Sequence, residues 1–139
     1  MEAIDIIDYL NEIFTSVAGP VREAHPGVSF TGEYTRKPSS FPAATLDEIE
    51  NVSVDRLDDS SGEERYSGVT YRLQTFSNKT AGKKAEARAI FKTADGVMRR
   101  LGFHRVAYTT TPEIYESTIY SITATYEAII DADGGIYRR

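Results

Sequence analysis

The segment VTYRLQTFSNKTAGKKAEARAIFKTADGVMRRLGF, residues 69–103, contains the two patterns that decide the fold. Its first part alternates apolar and polar residues, which predicts a β-strand over residues 65–76. After a polar turn, apolar residues recur at helical spacing and predict a helix over residues 80–101. Gly102 stands where a helix C-cap glycine is expected. One apolar face of the strand and one apolar stripe of the helix are therefore predicted to pack together. The strand face comprises Val69, Tyr71, Leu73 and Thr75, and the helix stripe comprises Ala87, Ile90, Phe91, Ala94, Val97, Met98 and Leu101.

The turn between these two elements contains a Gly82-Lys83 pair, as phosphate-binding loops do. Such a loop also needs a glycine five positions earlier and a hydroxyl residue directly after the lysine. Those positions hold Ser77 and Lys84. Because both required residues are missing, the sequence predicts a polar turn leading into a helix with a basic exposed side, and no nucleotide site.

The remaining segments complete an α+β pattern. Residues 3–18 predict a helix that Gly19-Pro20 should end. Strands are expected at residues 28–35, 103–110 and 117–130, and residues 131–139 turn and pair back. Residues 40–50 are ambiguous, because Pro42 favours an edge strand or the entry to one. The order αβββαββ predicts a single domain over residues 1–139, a two-layer sandwich with two helices on one face of a mainly antiparallel sheet.

Composition narrows the classes of protein. The 139 residues are 40% hydrophobic and include no cysteine, so no disulfide, thiolate metal site or cysteine nucleophile is expected. No apolar run is long enough for a membrane span, and none is predicted. The net charge of −5 is unevenly distributed: residues 46–64 carry eight acids and one base, whereas residues 79–100 carry seven bases and two acids. Residues 51–64 are also rich in turn formers and predict a flexible acidic loop.

The residues that carry chemistry form no catalytic pattern. His25 and His104 have no carboxylate at ligand spacing, and the Asp131–Gly135 run lacks the closing glutamate of a calcium loop. No arrangement places two carboxylates across a cleft for acid–base work. The basic stretch lacks the interleaved aromatic residues of a nucleic-acid site, and the chain is acidic overall. We therefore expect no catalytic site, metal, cofactor or sequence-specific nucleic-acid binding. A small enzyme or ligand-binding domain is the alternative class.

Several stretches together resemble a family of small structural proteins of tailed bacteriophages. These are SFPAATLDEIENVS, the acidic loop, the segment of residues 69–103, and STIYSITATYEAII, and they cover roughly residues 28–130. The most specific part is the strand–Ser-Asn-Lys-x-x-Gly-Lys-Lys–helix segment of residues 71–91, with Phe41-Pro42 before it. The order of helices and strands is similar to that of tail terminator, or tail completion, proteins at the head–tail junction.

The resemblance implies a role and partners. In that family six copies form a ring that caps the tail tube and meets the head connector. It implies a non-enzymatic virion protein of the tail or neck, assembled in the host bacterial cytoplasm, that contacts the major tail protein, the connector and its own copies. Another neck protein is the alternative within the same class.

Charge then suggests interface residues. Lys79, Lys83, Lys84 and Arg88, the basic cluster, are expected to bind an acidic protein surface. That surface is either the tail tube or an adjacent copy, whose Asp55, Asp58 and Asp59 are the acids considered. A solvated face that aids solubility is the competing explanation.

Overall fold

The computed structural model describes residues 6–35, 38–53, 66–112, 118–131 and 136–137. These ranges form two helices and six strands. In chain order they are α1 (Ile6–Ala24), β1 (Ser29–Thr31), β2 (Ala43–Ser53), β3 (Tyr66–Ser77), α2 (Lys83–Leu101), β4 (His104–Pro112), β5 (Tyr120–Asp131) and β6 (Ile136–Tyr137). The predicted α+β class and the predicted order of elements are confirmed.

The strands form one sheet in the order β1-β2-β3-β5-β4, and β6 pairs with β5 beyond the start of β4. Only the short β1–β2 pair is parallel, and the other pairs are antiparallel. β3 lies at the centre and pairs along its whole length with β5. The mainly antiparallel sheet expected from the alternating segments is therefore present.

The core lies between the sheet and the two helices. Leu73, Ile122 and Tyr126 are fully buried on the sheet side, and Ile90 and Val17 are buried on the helix side. The alternation of β3 decides which of its side chains enter this core, because Val69, Tyr71, Leu73 and Thr75 are all buried on one face. Leu101, which belongs to the predicted helix stripe, is only partly buried.

Helix α1 corrects one prediction. Gly19-Pro20 does not end the helix, which continues to Ala24 with Pro20 inside it. An interior proline costs a helix about 3 kcal/mol, because it removes a backbone donor and crowds the preceding turn. Here Val17 and Val21 on either side of the pair are both fully buried. Packing of this face on the core is sufficient to hold the helix through the unfavourable pair.

The boundaries of two strands also differ from expectation. Only Ser29–Thr31 of the predicted strand 28–35 is paired, because the chain leaves the sheet at Gly32. The ambiguous segment of residues 40–50 is strand β2, and Pro42 stands just before its entry. β2 extends to Ser53, so residues 51–53 of the predicted acidic loop are paired strand. Residues 54–65 lie outside the described residues.

Helix α2 begins and ends at glycines with left-handed backbone. Gly82 has φ 90° and precedes Lys83, so the helix starts three residues later than predicted. Gly102 has φ 104°, and the amides of Gly102 and Phe103 donate to the carbonyls of Arg99 and Met98. These bonds satisfy carbonyls at the helix end and confirm the predicted C-cap.

Candidate interaction surfaces

The turn before α2 is closed by its own side chains. Ser77 donates its hydroxyl to the Glu86 carboxylate at 2.7 Å and accepts the amide of Lys79 at 3.3 Å. A carboxylate in the first turn of a helix also complements the positive end of the helix dipole. The start of α2 thus carries an internal anion beside the Gly82-Lys83 pair. This arrangement differs from the open ring of amides that holds a phosphate.

The basic cluster lies in this turn and in the first two turns of α2. Lys79, Lys84 and Arg88 are exposed, and Lys83 is half-buried. The structure therefore brings the four predicted cations to one end of one helix. The predicted acidic partners Asp55, Asp58 and Asp59 lie outside the described residues, so their contact with the basic cluster stays a prediction.

Two contacts show which flank of α2 faces the edge of the sheet. The rings of Phe91 and Tyr108, on β4, meet edge to face with centroids 5.2 Å apart. Arg105, also on β4, reaches Asp95 at 3.2 Å. On the other flank, Thr93 lies 2.9 Å from the Nε2 atom of His25, which follows α1. Helical spacing from Phe91 places Lys84 and Arg88 on the β4 side of the helix.

Asp95 is the centre of a polar network under this flank. It accepts a hydrogen bond from the fully buried Tyr126 hydroxyl and pairs with Arg99 at 3.0 Å and Arg105 at 3.2 Å. Burial, with the hydrogen bond to Asp95 as the next cause, raises the pKa of Tyr126 well above its usual range. The tyrosine is therefore a neutral donor at any physiological pH. Sequence reasoning did not find this network, because its members come from α2, β4 and β5.

The open face of the sheet, opposite the helices, is polar. Arg72 binds Asp47 on the neighbouring strand through two nitrogens, at 3.2 Å and 2.6 Å, and its guanidinium lies 4.0 Å from the centre of the Tyr34 ring. Thr45 donates to Gln74 at 2.8 Å in the next row. Paired ions and hydrogen-bonded amides satisfy this face internally.

A second, smaller core covers one end of the open face. Phe76, Ala43 and Ile119 are buried there, and Phe41 packs on them from the cis Phe41–Pro42 bond. The other end of the sheet, where β2 and β3 approach the acidic segment, carries exposed Glu48, Glu50 and Glu127.

Histidines and carboxylates do not converge in the described ranges. His25 is engaged with Thr93, and His104 is exposed on β4. Across residues 6–35, 38–53, 66–112, 118–131 and 136–137, no group of three His, Asp or Glu side chains is placed to hold a metal ion. Neither helix in these ranges is long and apolar enough to cross a membrane.

Comparison with solved structures shows what the fold is similar to. The fold is similar to the sheath/tube terminator of an extracellular contractile injection system, PVC, determined by cryo-EM in the extended state. The TM-score is 0.54 at 7% sequence identity, and the match covers 94% of this chain. The chain spans 58% of the length of that terminator. Comparisons of the sequence with protein-family models and with curated proteins return no match. The likeness thus concerns the fold.

Proposed function

We propose that this chain is a non-enzymatic structural protein of a phage-type tail, a terminator whose copies form a ring, six in number, at the end of the tail tube. The observation that carries the proposal is the similarity of 94% of the chain to a sheath/tube terminator. The order of helices and strands in the sequence is also similar to that of phage tail terminator proteins. In the virion the ring would join the tube to the head connector.

The internal use of the polar side chains supports a structural role. Asp47 and Arg72 bind each other, Asp95 is surrounded by three donors, and His25 is paired with Thr93. Each of these groups stabilises a junction between elements.

The basic cluster supplies the proposed docking surface for an acidic partner. Lys84, Arg88 and Lys92 are exposed at intervals of four residues on α2. Like charges at this spacing repel by about 0.2–0.5 kcal/mol per pair, and an acidic partner reverses the sign. The cluster therefore gains from contact with the tail tube or with acids of an adjacent copy, Asp55, Asp58 and Asp59 among them.

The position of the basic cluster along the strands favours the tail tube, rather than an adjacent copy, as the partner of this cluster. Ser77, beside the start of α2, lies seven residues after Thr70, which at about 3.4 Å per residue is roughly 24 Å. Glu50 is paired with Thr70 and therefore lies about that far along the strands from the start of α2. In a ring whose axis follows the strands, the basic cluster and the acidic end would thus lie at opposite faces of the ring. A stacked partner meets such a face, whereas a neighbour within the ring does not.

Microscopy tests the ring. The purified chain, alone and mixed with tubes assembled from the major tail protein, is examined by negative-stain electron microscopy. We expect closed rings and tubes that carry a ring at one end. A chain that stays monomeric and leaves tube ends bare would contradict the proposal. Rings that bind a head connector but no tube would assign the chain to another place in the neck.

Charge reversal tests the docking surface. Lys83→Glu with Lys84→Glu is expected to abolish capping of tubes, and Lys83→Arg with Lys84→Arg to retain it. Rescue of the reversed variant by Asp58→Lys with Asp59→Lys would assign the contact to an adjacent copy. Unchanged capping by the reversed variant at both low and high salt would refute the docking role and leave the solvated face as the explanation.

A further inference from the structure

On each lateral side of the sheet, a strand edge is left wholly or partly unpaired by the described strands. β4 pairs with β5 on one side, and no described residue pairs with its other side. On the opposite side of the sheet, β1 pairs with β2 only over Ala43–Thr45. The outer edge of β2 beyond Thr45 is therefore also uncovered within the described ranges. Open strand edges are templates for pairing with another chain.

One row of paired residues across the sheet has an acid at the β2 edge and a base at the β4 edge. Pairing across the strands places Glu48 on one row with Arg105, through Tyr71 and Tyr126. The next row contains Glu50 at the β2 edge and His104 at the β4 edge. Arg99 of α2 lies on the β4 side, since it shares Asp95 with Arg105. Glu48 and Glu50 thus make the β2 edge acidic, and Arg99 and Arg105 make the β4 edge basic.

The exposed apolar side chains follow the same division. Among the described residues, the large hydrophobic side chains that are exposed are Tyr34, Ile49, Val106 and Tyr108. Each of the last three is 45% exposed. Ile49 lies on the β2 edge between the two glutamates, and Val106 and Tyr108 lie on the β4 edge. The β2 edge thus has an exposed apolar residue between two acids, and the β4 edge has two exposed apolar residues, of which Val106 follows Arg105.

We propose that the β4 edge of one copy pairs with the β2 edge of the next copy and so joins neighbouring subunits into one continuous sheet. This inference rests on the ring of the proposed function and names its junction. The two edges face opposite ways on one subunit, so the contact is heterologous and forms a ring when the rotation closes. β2 and β4 run antiparallel within the sheet, because three antiparallel pairings separate them. A rotation that keeps the helices on one side of the sheet therefore makes the new pair antiparallel too.

Both edges contain a bulge, which is also a device that prevents edge pairing. The bulges lie at Ile49, between Glu48 and Glu50, and at Val106, between Arg105 and Ala107. After Val106, however, β4 continues as Ala107, Tyr108 and three threonines, with no lysine or acid among its nine residues. Aromatic and β-branched residues favour strand pairing. The regular part of the β4 edge thus lacks the charges that usually protect an edge.

Cysteine cross-linking tests the junction, because the chain has no cysteine of its own. The double variant Ile49→Cys with Val106→Cys is treated with a short bis-maleimide at high protein concentration. We expect a ladder of covalent multimers that ends at the number of subunits in the ring. The control Ala81→Cys with Val106→Cys places the first cysteine at an exposed position in the turn after the central strand β3, at the opposite end of the strands from Ile49, and it should give no ladder. A ladder of equal strength from the control would overturn the inference.

Complementation tests the head-to-tail direction. One variant has a reversed β2 edge, Glu48→Lys with Glu50→Lys, and the other a blocked β4 edge, Val106→Lys with Tyr108→Lys. Each variant alone should be monomeric in light scattering. Their mixture should form a heterodimer and nothing larger, because only the intact β4 edge of the first variant can pair with the intact β2 edge of the second. Circular dichroism confirms that each variant is folded. Self-association of either variant alone would overturn the inference.

The outcomes separate this inference from the proposed function. Rings in the microscope without cross-linking between positions 49 and 106 would refute the edge junction and leave the ring. Absence of both rings and cross-links would refute both.

Discussion

The hydrogen bond between Tyr126 and Asp95 allows a quantitative prediction about what holds α2 on the sheet. Tyr126→Phe keeps the buried ring and removes only the hydroxyl that donates to the Asp95 carboxylate. A hydrogen bond to a charged group contributes about 1.5–3 kcal/mol to folding. Asp95 keeps Arg99 and Arg105 after the change, so no buried charge is left alone. We expect the free energy of unfolding to fall by about 1.5–3 kcal/mol.

Asp95→Ala should cost more than Tyr126→Phe. It leaves the Tyr126 hydroxyl buried without its acceptor, which costs about 1–3 kcal/mol, and it also removes the partner of two arginines. In the Asp95→Ala background, Tyr126→Phe removes an orphaned hydroxyl and should cost little. The double-mutant cycle is therefore expected to give a coupling energy of at least about 1.5 kcal/mol.

Urea unfolding followed by far-ultraviolet circular dichroism is the suitable assay, because the chain has no tryptophan and tyrosine fluorescence would change with the substitution. Arg99→Ala is the control: its side chain is 54% exposed, and an exposed ion pair of this spacing contributes about 0.3–0.5 kcal/mol. A coupling energy below about 0.5 kcal/mol between Tyr126 and Asp95 would refute the reasoning.

Three further predictions concern packing, backbone and pH. Phe91→Ala should lower the free energy of unfolding by about 3–5 kcal/mol, because the side chain is buried. Lys92→Ala, at the exposed neighbouring position, should change it by under about 0.5 kcal/mol. Equal effects of the two substitutions in urea unfolding would contradict the burial of Phe91. Gly102→Ala places a side chain at φ 104° and should cost about 1–3 kcal/mol, so an unchanged midpoint would count against this C-cap. Because burial raises the pKa of Tyr126, the native state keeps a proton that the unfolded state loses above about pH 10, and stability should fall there by up to about 1.4 kcal/mol per pH unit. Tyr126→Phe should flatten that slope and Tyr34→Phe should not; the same slope in all three proteins would exclude this cause.

The sequence predicted the parts of the fold whose signal is local. β3 alternates over its whole length, and α2 has an apolar stripe and a C-cap glycine, so both appear where expected. The failures occur where tertiary contacts override local preference. Buried Val17 and Val21 carry α1 through Gly19-Pro20. Strand pairing of β1 ends at Thr31, and Tyr34 stacks on Arg72 across the open face instead of continuing the strand.

The candidate surfaces were predictable only in part. The basic cluster lies within residues 79–88, so its grouping at the start of α2 follows from short sequence separation and helical spacing. The acidic and basic sheet edges were not predictable, because Glu48 and Arg105 share a row only through the pairing of four strands. Charge counts along the chain show that acids and bases are separated, whereas strand order shows which of them lie at opposite edges.

Native mass spectrometry of the purified chain tests the central claim, ring formation, most directly. One subunit has a mass of 15.5 kDa, so a ring of six is expected at about 93 kDa. The account predicts a discrete species at that mass that disappears in the variants with a reversed β2 edge or a blocked β4 edge. A chain that remains at 15.5 kDa at every concentration and in the presence of tail tubes would contradict it.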